Sequence, residues 1–241
     1  MPPHTPRWTV ALLTAAALSL SACEGVSIAV GPSPSAGATS GATSGSSSTS
    51  SGEASASSSG EGSGAAAGDA EAQLDKLVVA KAGSMKGYSR DKFPHWRSTG
   101  KNCDVRDSVL KRDGTKVKFS GCNVVAGTWK SLYDGKQLTA PTQVDIDHMV
   151  PLANAWRSGA SAWTTARRRD FANDLDDPQL VAVSASSNRS KGDQDPSTWK
   201  PSDTGAWCEY ARDWIAVKTH WKLTVTTAEK SALADMLEKC S

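Results

Sequence analysis

Apolar positions along the chain fall into three regimes. Residues 8–20, "WTVALLTAAALSL", form one nearly unbroken apolar run. From Ser35 to Gly68 every residue is Gly, Ser, Ala or Thr apart from Glu53 and Glu61, and no hydrophobic period survives. From about residue 71 the pattern becomes periodic. In "GDAEAQLDKLVVA", Leu74, Leu77 and Val78 recur at i, i+3 and i+4 and predict a helix. "CDVRDSVLKRDG" reads as a short helix stopped by Gly114, and "TKVKF" alternates as a strand; a hairpin through Asp113 and Gly114 is the competing reading. "CNVVAGTWKSLYDGK" and "QVDIDHMV" read as strands around an Asp134-Gly135 turn, and "QLVAV" after Pro178 as a short apolar strand. "LANAWRSG" and "TARRRDFANDL" read as helices, and the serines of "SASSNRSKGD" suit a helix cap. Trp207, Ala211, Trp214 and Trp221 recur at helical spacing. Thr226 and Glu229 then form a capping box for a last helix whose Leu233, Met236, Leu237 and Cys240 share one face. Strands mixed with helices in this order make the folded part α+β.

Composition limits how much of the 241 residues can fold. Arg7 followed by an apolar core of about a dozen residues has the form of a secretory signal, too short to span a membrane as a stable helix. "LSAC", ending at Cys23, resembles a bacterial lipobox. That resemblance implies a signal over 1–22, a lipidated Cys23, and a protein anchored on the extracellular face of a bacterial cell membrane, with release from it also open. An ordinary cleaved signal with an incidental cysteine is the alternative. Residues 23–70 are expected to be a disordered tether, since they have almost no apolar surface to bury. The 47 residues from Glu24 to Ala70 would span about 35–40 Å as a flexible coil. Residues 71–241 then form one domain with 26 Lys and Arg against 21 Asp and Glu, a net of +5. Such a bias is compatible with a polyanionic partner without demonstrating one. Apart from Cys23, four cysteines remain. An even number in an exported domain suggests two disulfides, and of three pairings Cys103–Cys122 and Cys208–Cys240 each close a local unit.

Candidate chemistry centres on "QVDIDHMVPLANAW". Two carboxylates, Asp145 and Asp147, precede His148, and Pro151 follows. Of the other histidines in the folded part, His220 belongs to the tryptophan-bearing helix, and His95 in "DKFPHWRS" reads as structural. Set beside "QLVAVSASSNRSKGD", the segment "DIDHMVP" resembles the HNH, or ββα-metal, endonucleases: a strand ending in Asp-His, a second strand, and a helix carrying Asn and Lys. Residues 85–240 resemble an exported branch of that family, related to the C-terminal nuclease domain of GmrSD-type restriction enzymes.

The resemblance implies a ββα-metal core with surrounding helices and a metal-dependent endonuclease. DNA is the expected substrate, cut with little sequence preference, and RNA is the alternative. It implies Asp147 and Asn188 as ligands of one Mg²⁺ (or Mn²⁺), with Asp145 in reserve, His148 as general base and Lys191 at the phosphate. Gln179, where the family usually carries asparagine, would orient the base. Arg157, Arg168 and Arg189 are candidate phosphate contacts, and a monomer is expected. An inactive surface-binding lipoprotein of the same fold is the reading from another class. In an ideal strand Asp147 and His148 point to opposite faces, so this ligand set requires a bend there; without one, Asp145 and Asp147 share a face and His148 stands apart.

Overall fold

A computed structural model describes residues 61–240, with side chains from Gly68 onward. The signal, Cys23 and most of the expected tether lie outside the described residues. Helix α1 (Glu61–Lys76) begins inside the stretch expected to be disordered. Its early turns run through three consecutive alanines, the residue with the highest helix propensity, and Ala70, Leu74 and the following Leu77 are buried. Val78, expected on the same face, is exposed because the helix has already ended.

Strands β1 (Ser98–Gly100) and β2 (Cys103–Asp104) form a small antiparallel pair. Helix α2 (Val105–Asp113) follows at once, its N-terminus satisfied by a capping box between Asp104 and Asp107. Gly114 ends it as expected, at a point where chain crowding leaves no alternative. A Cβ there would meet the Trp129 indole nitrogen at 2.6 Å and the Leu110 carbonyl at 2.7 Å. The competing hairpin through Asp113 and Gly114 is not formed. Instead β3 (Gly114–Ser120) pairs antiparallel with β4 (Asn123–Lys130) around Gly121 and Cys122. The turn at Asp134 and Gly135 then joins β4 to β5 (Gln137–Leu138), completing a three-stranded sheet in the order β3-β4-β5.

The strand expected on the far side of that turn, β6 (Val144–His148), belongs to a different sheet. After it come helices α3 (Leu152–Arg157) and α4 (Thr165–Ala172), then β7 (Leu180–Ser184), which pairs antiparallel with β6, and helix α5 (Ala185–Lys191). Helices α6 (Trp207–Trp221) and α7 (Thr227–Leu237) close the chain, α7 starting with the expected Thr226–Glu229 capping box. Seven α-helices and three small sheets among the described residues make the fold α+β.

The β6–β7 pair separates two apolar cores. Val144, Ile146, Leu180 and Ala182 pack with α2 residues Val109 and Leu110 and with Trp129. Val183 joins the larger core built from α1, α3, α6 and α7 around Trp156, Tyr210 and Trp214. Both expected disulfides are present. Cys103–Cys122 ties the β3–β4 turn to β2. Cys208–Cys240 joins the start of α6 to the residues after α7, which is possible because the two helices run antiparallel.

Candidate active site on the central hairpin

Five consecutive pairs, from Val144↔Ser184 to His148↔Leu180, run without a register shift. No bulge therefore rotates the end of β6, and its side chains alternate. Val144 and Ile146 enter the α2-side core, while Asp145 and Asp147 face α5. The helix itself starts where it does because Ser184, the last strand residue, caps it by accepting from the Ser187 amide.

On the α5 side the acidic pair meets the helix one turn apart. Asn188 Nδ2 donates to Asp145 Oδ2 at 3.1 Å. Lys191 Nζ donates to Asp147 Oδ2 at 2.6 Å and to the His148 carbonyl at 2.9 Å. Tyr133 Oη donates to the same Asp147 oxygen at 2.6 Å. Both ions are buried, Lys191 completely. Burial pushes the Asp147 carboxyl up and the Lys191 amine down, and their mutual attraction opposes both shifts. The expectation that Lys191 contacts phosphate is corrected here. Its ammonium is fully buried and satisfied inside the domain by Asp147 and the His148 carbonyl.

His148 is also buried, at 4 % exposure. Its Nε2 lies 3.0 Å from the Ala172 carbonyl, at the end of α4. A carbonyl only accepts, so Nε2 carries the proton and Nδ1 of the neutral ring is left as an acceptor. Burial holds the imidazole down to about 3, aided by the charges of Arg90, His95 and Lys191 and opposed by the Ala172 hydrogen bond. The ring is therefore neutral throughout the physiological range. Gln179 holds the chain just beyond it. Its Oε1 accepts from the Val150 amide at 3.1 Å, its Nε2 donates to the Val150 carbonyl at 3.0 Å, and its own carbonyl accepts from the Met149 amide.

A cavity of about 290 Å³ has a lining that includes Asp147, His148, Asn188, Tyr88, Arg90 and Asp193. Asp147, His148 and Asn188, far apart in sequence, thus border one space, although Asp147 and His148 leave the strand on opposite faces. A wider cavity of about 570 Å³ runs along β7 past Asp113, Glu209 and Asp213 and contains none of the expected catalytic residues.

The arginines divide. Arg189 is exposed on α5. Arg157 is half-buried and bonded to Asp193. Arg168 is buried, and its guanidinium donates to the Lys92, Ala160 and Trp163 carbonyls and to Thr165 Oγ1. Arg168 is therefore a staple between α4 and the 90–96 segment, and the expected phosphate contact is corrected. Residues 88–96, which include that segment, hold residues the sequence did not single out. Arg90 and Tyr88 line the cavity, and His95, read as structural, has its ring 6.4 Å from that of His148. In "GYSRDKFPHW" an arginine and three aromatics accompany the histidine and were available signals. Tyr133 carried no sequence signal at all. Among the described residues one further group could hold a metal, Asp174, Asp177 and His220, in which His220 Nδ1 already lies 3.1 Å from Asp177 Oδ2.

The family model described as "GmrSD restriction endonucleases, C-terminal domain" matches residues 104–236. A protein of Arthroderma benhamiae (strain ATCC MYA-4681 / CBS 112371), named "Uncharacterized secreted protein", is 53 % identical over 172 residues, which cover 71 % of this chain and 84 % of the relative. No solved structure matches significantly. The fungal relative overturns the expectation of a lipid-anchored protein on a bacterial membrane: it is named a secreted protein and comes from an organism that is not a bacterium. The error has a physical origin. Small residues before a cleavage point occur in ordinary secretory signals as well as in lipoprotein signals, so "LSAC" could not tell them apart. Among the described residues no helix is long and apolar enough to cross a membrane.

Proposed function

Because the chain belongs to the family of the GmrSD restriction endonuclease C-terminal domain, we propose that it is a metal-dependent endonuclease that hydrolyses phosphodiester bonds of nucleic acid, with DNA as its substrate and little sequence preference. The observation that carries this reading is the anchored tautomer of His148. With Nε2–H fixed on the Ala172 carbonyl, Nδ1 is the basic atom of a ring bordering the same cavity as Asp147 and Asn188.

In this mechanism His148 takes the proton of the attacking water through Nδ1. A positioned base of this kind contributes about 10²–10⁴-fold. Burial keeps the ring neutral, with Nδ1 unprotonated, while lowering its basicity, and Gln179 fixes the backbone beyond it through Val150. Arg90, at the cavity wall, binds a phosphate oxygen, and exposed Arg189 supplies a contact farther along the backbone. Asp145, Asn188 and the Asp147 oxygen not used by Lys191 and Tyr133 form a set of hard oxygen donors. Few protein ligands with room for water suit Mg²⁺ or Mn²⁺. Asn188 would hold the ion with its amide oxygen turned toward Asp145, the reverse of its present hydrogen bond. When bound, the ion stabilises charge developing on the phosphoryl group and the leaving oxygen.

The test is plasmid nicking with Mg²⁺, with EDTA, and with H148A. Nicking that needs the metal and falls at least about 100-fold in H148A supports the mechanism; nicking at an unchanged rate in H148A refutes it. The same assay on RNA decides the substrate. A second reading, a binding module of the same fold without turnover, draws on the Lys191 ammonium seated on Asp147. It predicts no nicking with any divalent ion.

A further inference from the structure

The net charge of the folded part is not spread over it. Residues 97–130 carry eight Lys and Arg against three Asp, a net of +5, whereas the rest of 71–241 is balanced at eighteen of each sign. This segment is one structural arm: β1, β2, α2 and the β3–β4 hairpin, pinned at the hairpin turn by Cys103–Cys122.

Its three acids are all engaged in holding the arm together. Asp104 caps α2. Asp107 accepts from the Val124 and Asp104 amides. Asp113 pairs with Arg112 and accepts from the Ala182 amide on the open edge of β7. Arg106 is likewise occupied, donating to the Pro141 and Val144 carbonyls. Lys101, Lys111, Lys116, Lys118 and Lys130 remain: all five are exposed, and none is within ion-pair distance of an acid among the described residues. Phe119 and Val125 lie among them, 45 % and 50 % exposed.

The arm is also tied to the candidate active site. Trp96, two residues before β1, has its ring 6.0 Å from that of His148 and packs against the α2-side core. The Val105 amide at the start of α2 donates to the Arg97 carbonyl, which ties the two ends of this connection together.

We propose that the 97–130 arm is a second, sequence-independent contact for the nucleic-acid backbone, holding substrate through its five unpaired lysines while the cavity at His148 engages the scissile phosphate. This rests on the nuclease reading for the identity of the polyanion. Like-signed charge without internal partners is what a repeating phosphate backbone complements, and such contacts bind without reading sequence. A protected sheet edge alone would not need it, since Lys111 lies on α2 and Lys101 and Lys130 lie off the edge strand β3.

The test is fluorescence anisotropy with a labelled DNA duplex of arbitrary sequence, in EDTA so that cleavage is not read, at about 50–200 mM salt. Wild type is compared with K101Q/K111Q/K116Q/K118Q/K130Q and with a control that removes the same charge elsewhere, K76Q/K81Q/K86Q/K222Q/K239Q. Circular dichroism confirms that each is folded. The arm variant is expected to bind at least about tenfold more weakly and to lose roughly 3–4 units of the slope of log K against log salt, near 0.9 per phosphate contact. The control should keep most of both. An arm variant with the wild-type slope, a control that loses as much, or a wild type that does not bind DNA overturns the proposal. So does an arm variant that loses heparin or anionic vesicles but not DNA. Failure of the nuclease reading looks different: no nicking with Mg²⁺, yet an arm-dependent salt slope on DNA.

Discussion

Replacing Lys191 by methionine separates a buried structural ion from a phosphate-binding one. Methionine retains most of the aliphatic stem, so the cavity left behind is small. What changes is the partner: Asp147, at 6 % exposure, keeps only the Tyr133 hydroxyl on the oxygen that the ammonium approached at 2.6 Å, and the His148 carbonyl loses its 2.9 Å donor. Removing one member of a buried pair costs about 3–5 kcal/mol, because the other charge remains out of water without compensation. Urea unfolding in EDTA, followed by tryptophan fluorescence, should show that loss, and the melting temperature should fall by roughly 10 °C at about 2–4 °C per kcal/mol. The double variant D147N/K191M removes both charges and keeps an acceptor for Tyr133. It should recover to within about 2 kcal/mol of wild type, the remainder reflecting the unsatisfied His148 carbonyl. If K191M stays within about 1 kcal/mol of wild type while its DNA affinity and salt slope both fall, the ammonium reaches phosphate after all and the buried assignment is wrong.

Three further outcomes follow from the same geometry. Q179A removes both side-chain bonds to Val150 from a fully buried position; it should cost about 2–3 kcal/mol in urea unfolding and slow plasmid nicking at least about tenfold in protein that remains folded. C208S/C240S opens a disulfide spanning 32 residues, and a chain-entropy loss of about 3–4 kcal/mol should appear in non-reducing melts and be absent when both forms are compared in reductant. Burial, with Glu209 adding to it and Arg212 and Arg112 opposing, pushes the Asp213 carboxyl up to about 7. In the unfolded chain it ionises near 3.9, so its contribution is fully present below that pH and is lost as pH rises through about 7. D213N should therefore exceed wild type by about 4 kcal/mol at pH 8, and the gain should vanish below pH 4.

The elements that local chemistry specifies were readable in the sequence. The Thr226–Glu229 capping box, Gly114 at the end of α2 and Ser184 before α5 all carry their signal within a few residues. So did both disulfides, because each closes a local unit. The partition of strands did not. Asp134 and Gly135 announce a turn, but whether the strand beyond pairs with β4 depends on the partner of β6, which arrives only at Leu180. The site divides in the same way. That Asp147, His148 and Asn188 border one space, with Asp145 bonded to Asn188, could be anticipated from two short motifs. That Lys191 and Arg168 are buried was not, since a lysine after an asparagine, or an arginine in a basic run, reads as solvent-facing until the tertiary neighbours are known. Tyr133 was missed because it stands alone, without a motif around it, and Arg90 because nothing in its segment shows that it reaches a cavity formed by β6 and α5.

The C-terminal helices matter to the site although none of their residues borders the His148 cavity. Lys191 Nζ and Lys218 Nζ both lie 5.7 Å from the Trp214 ring centroid, so one indole separates two fully buried ammonium groups. Lys218 is held by Glu229, Asn154, Ser158 and the Thr224 carbonyl, and Trp214 Nε1 donates to Glu229 at 2.7 Å. Buried ion pairs contribute little net stability of their own, so their geometry has to be imposed by what surrounds them. Here α6 imposes it, carrying both Trp214 and Lys218, and α6 is fixed in turn by α7 and by Cys208–Cys240. Loosening α6 would admit water to both pairs at once. Lys191 donates to both Asp147 and the His148 carbonyl at the end of β6, so the order of this strand end depends on a helix pair that begins sixteen residues after Lys191.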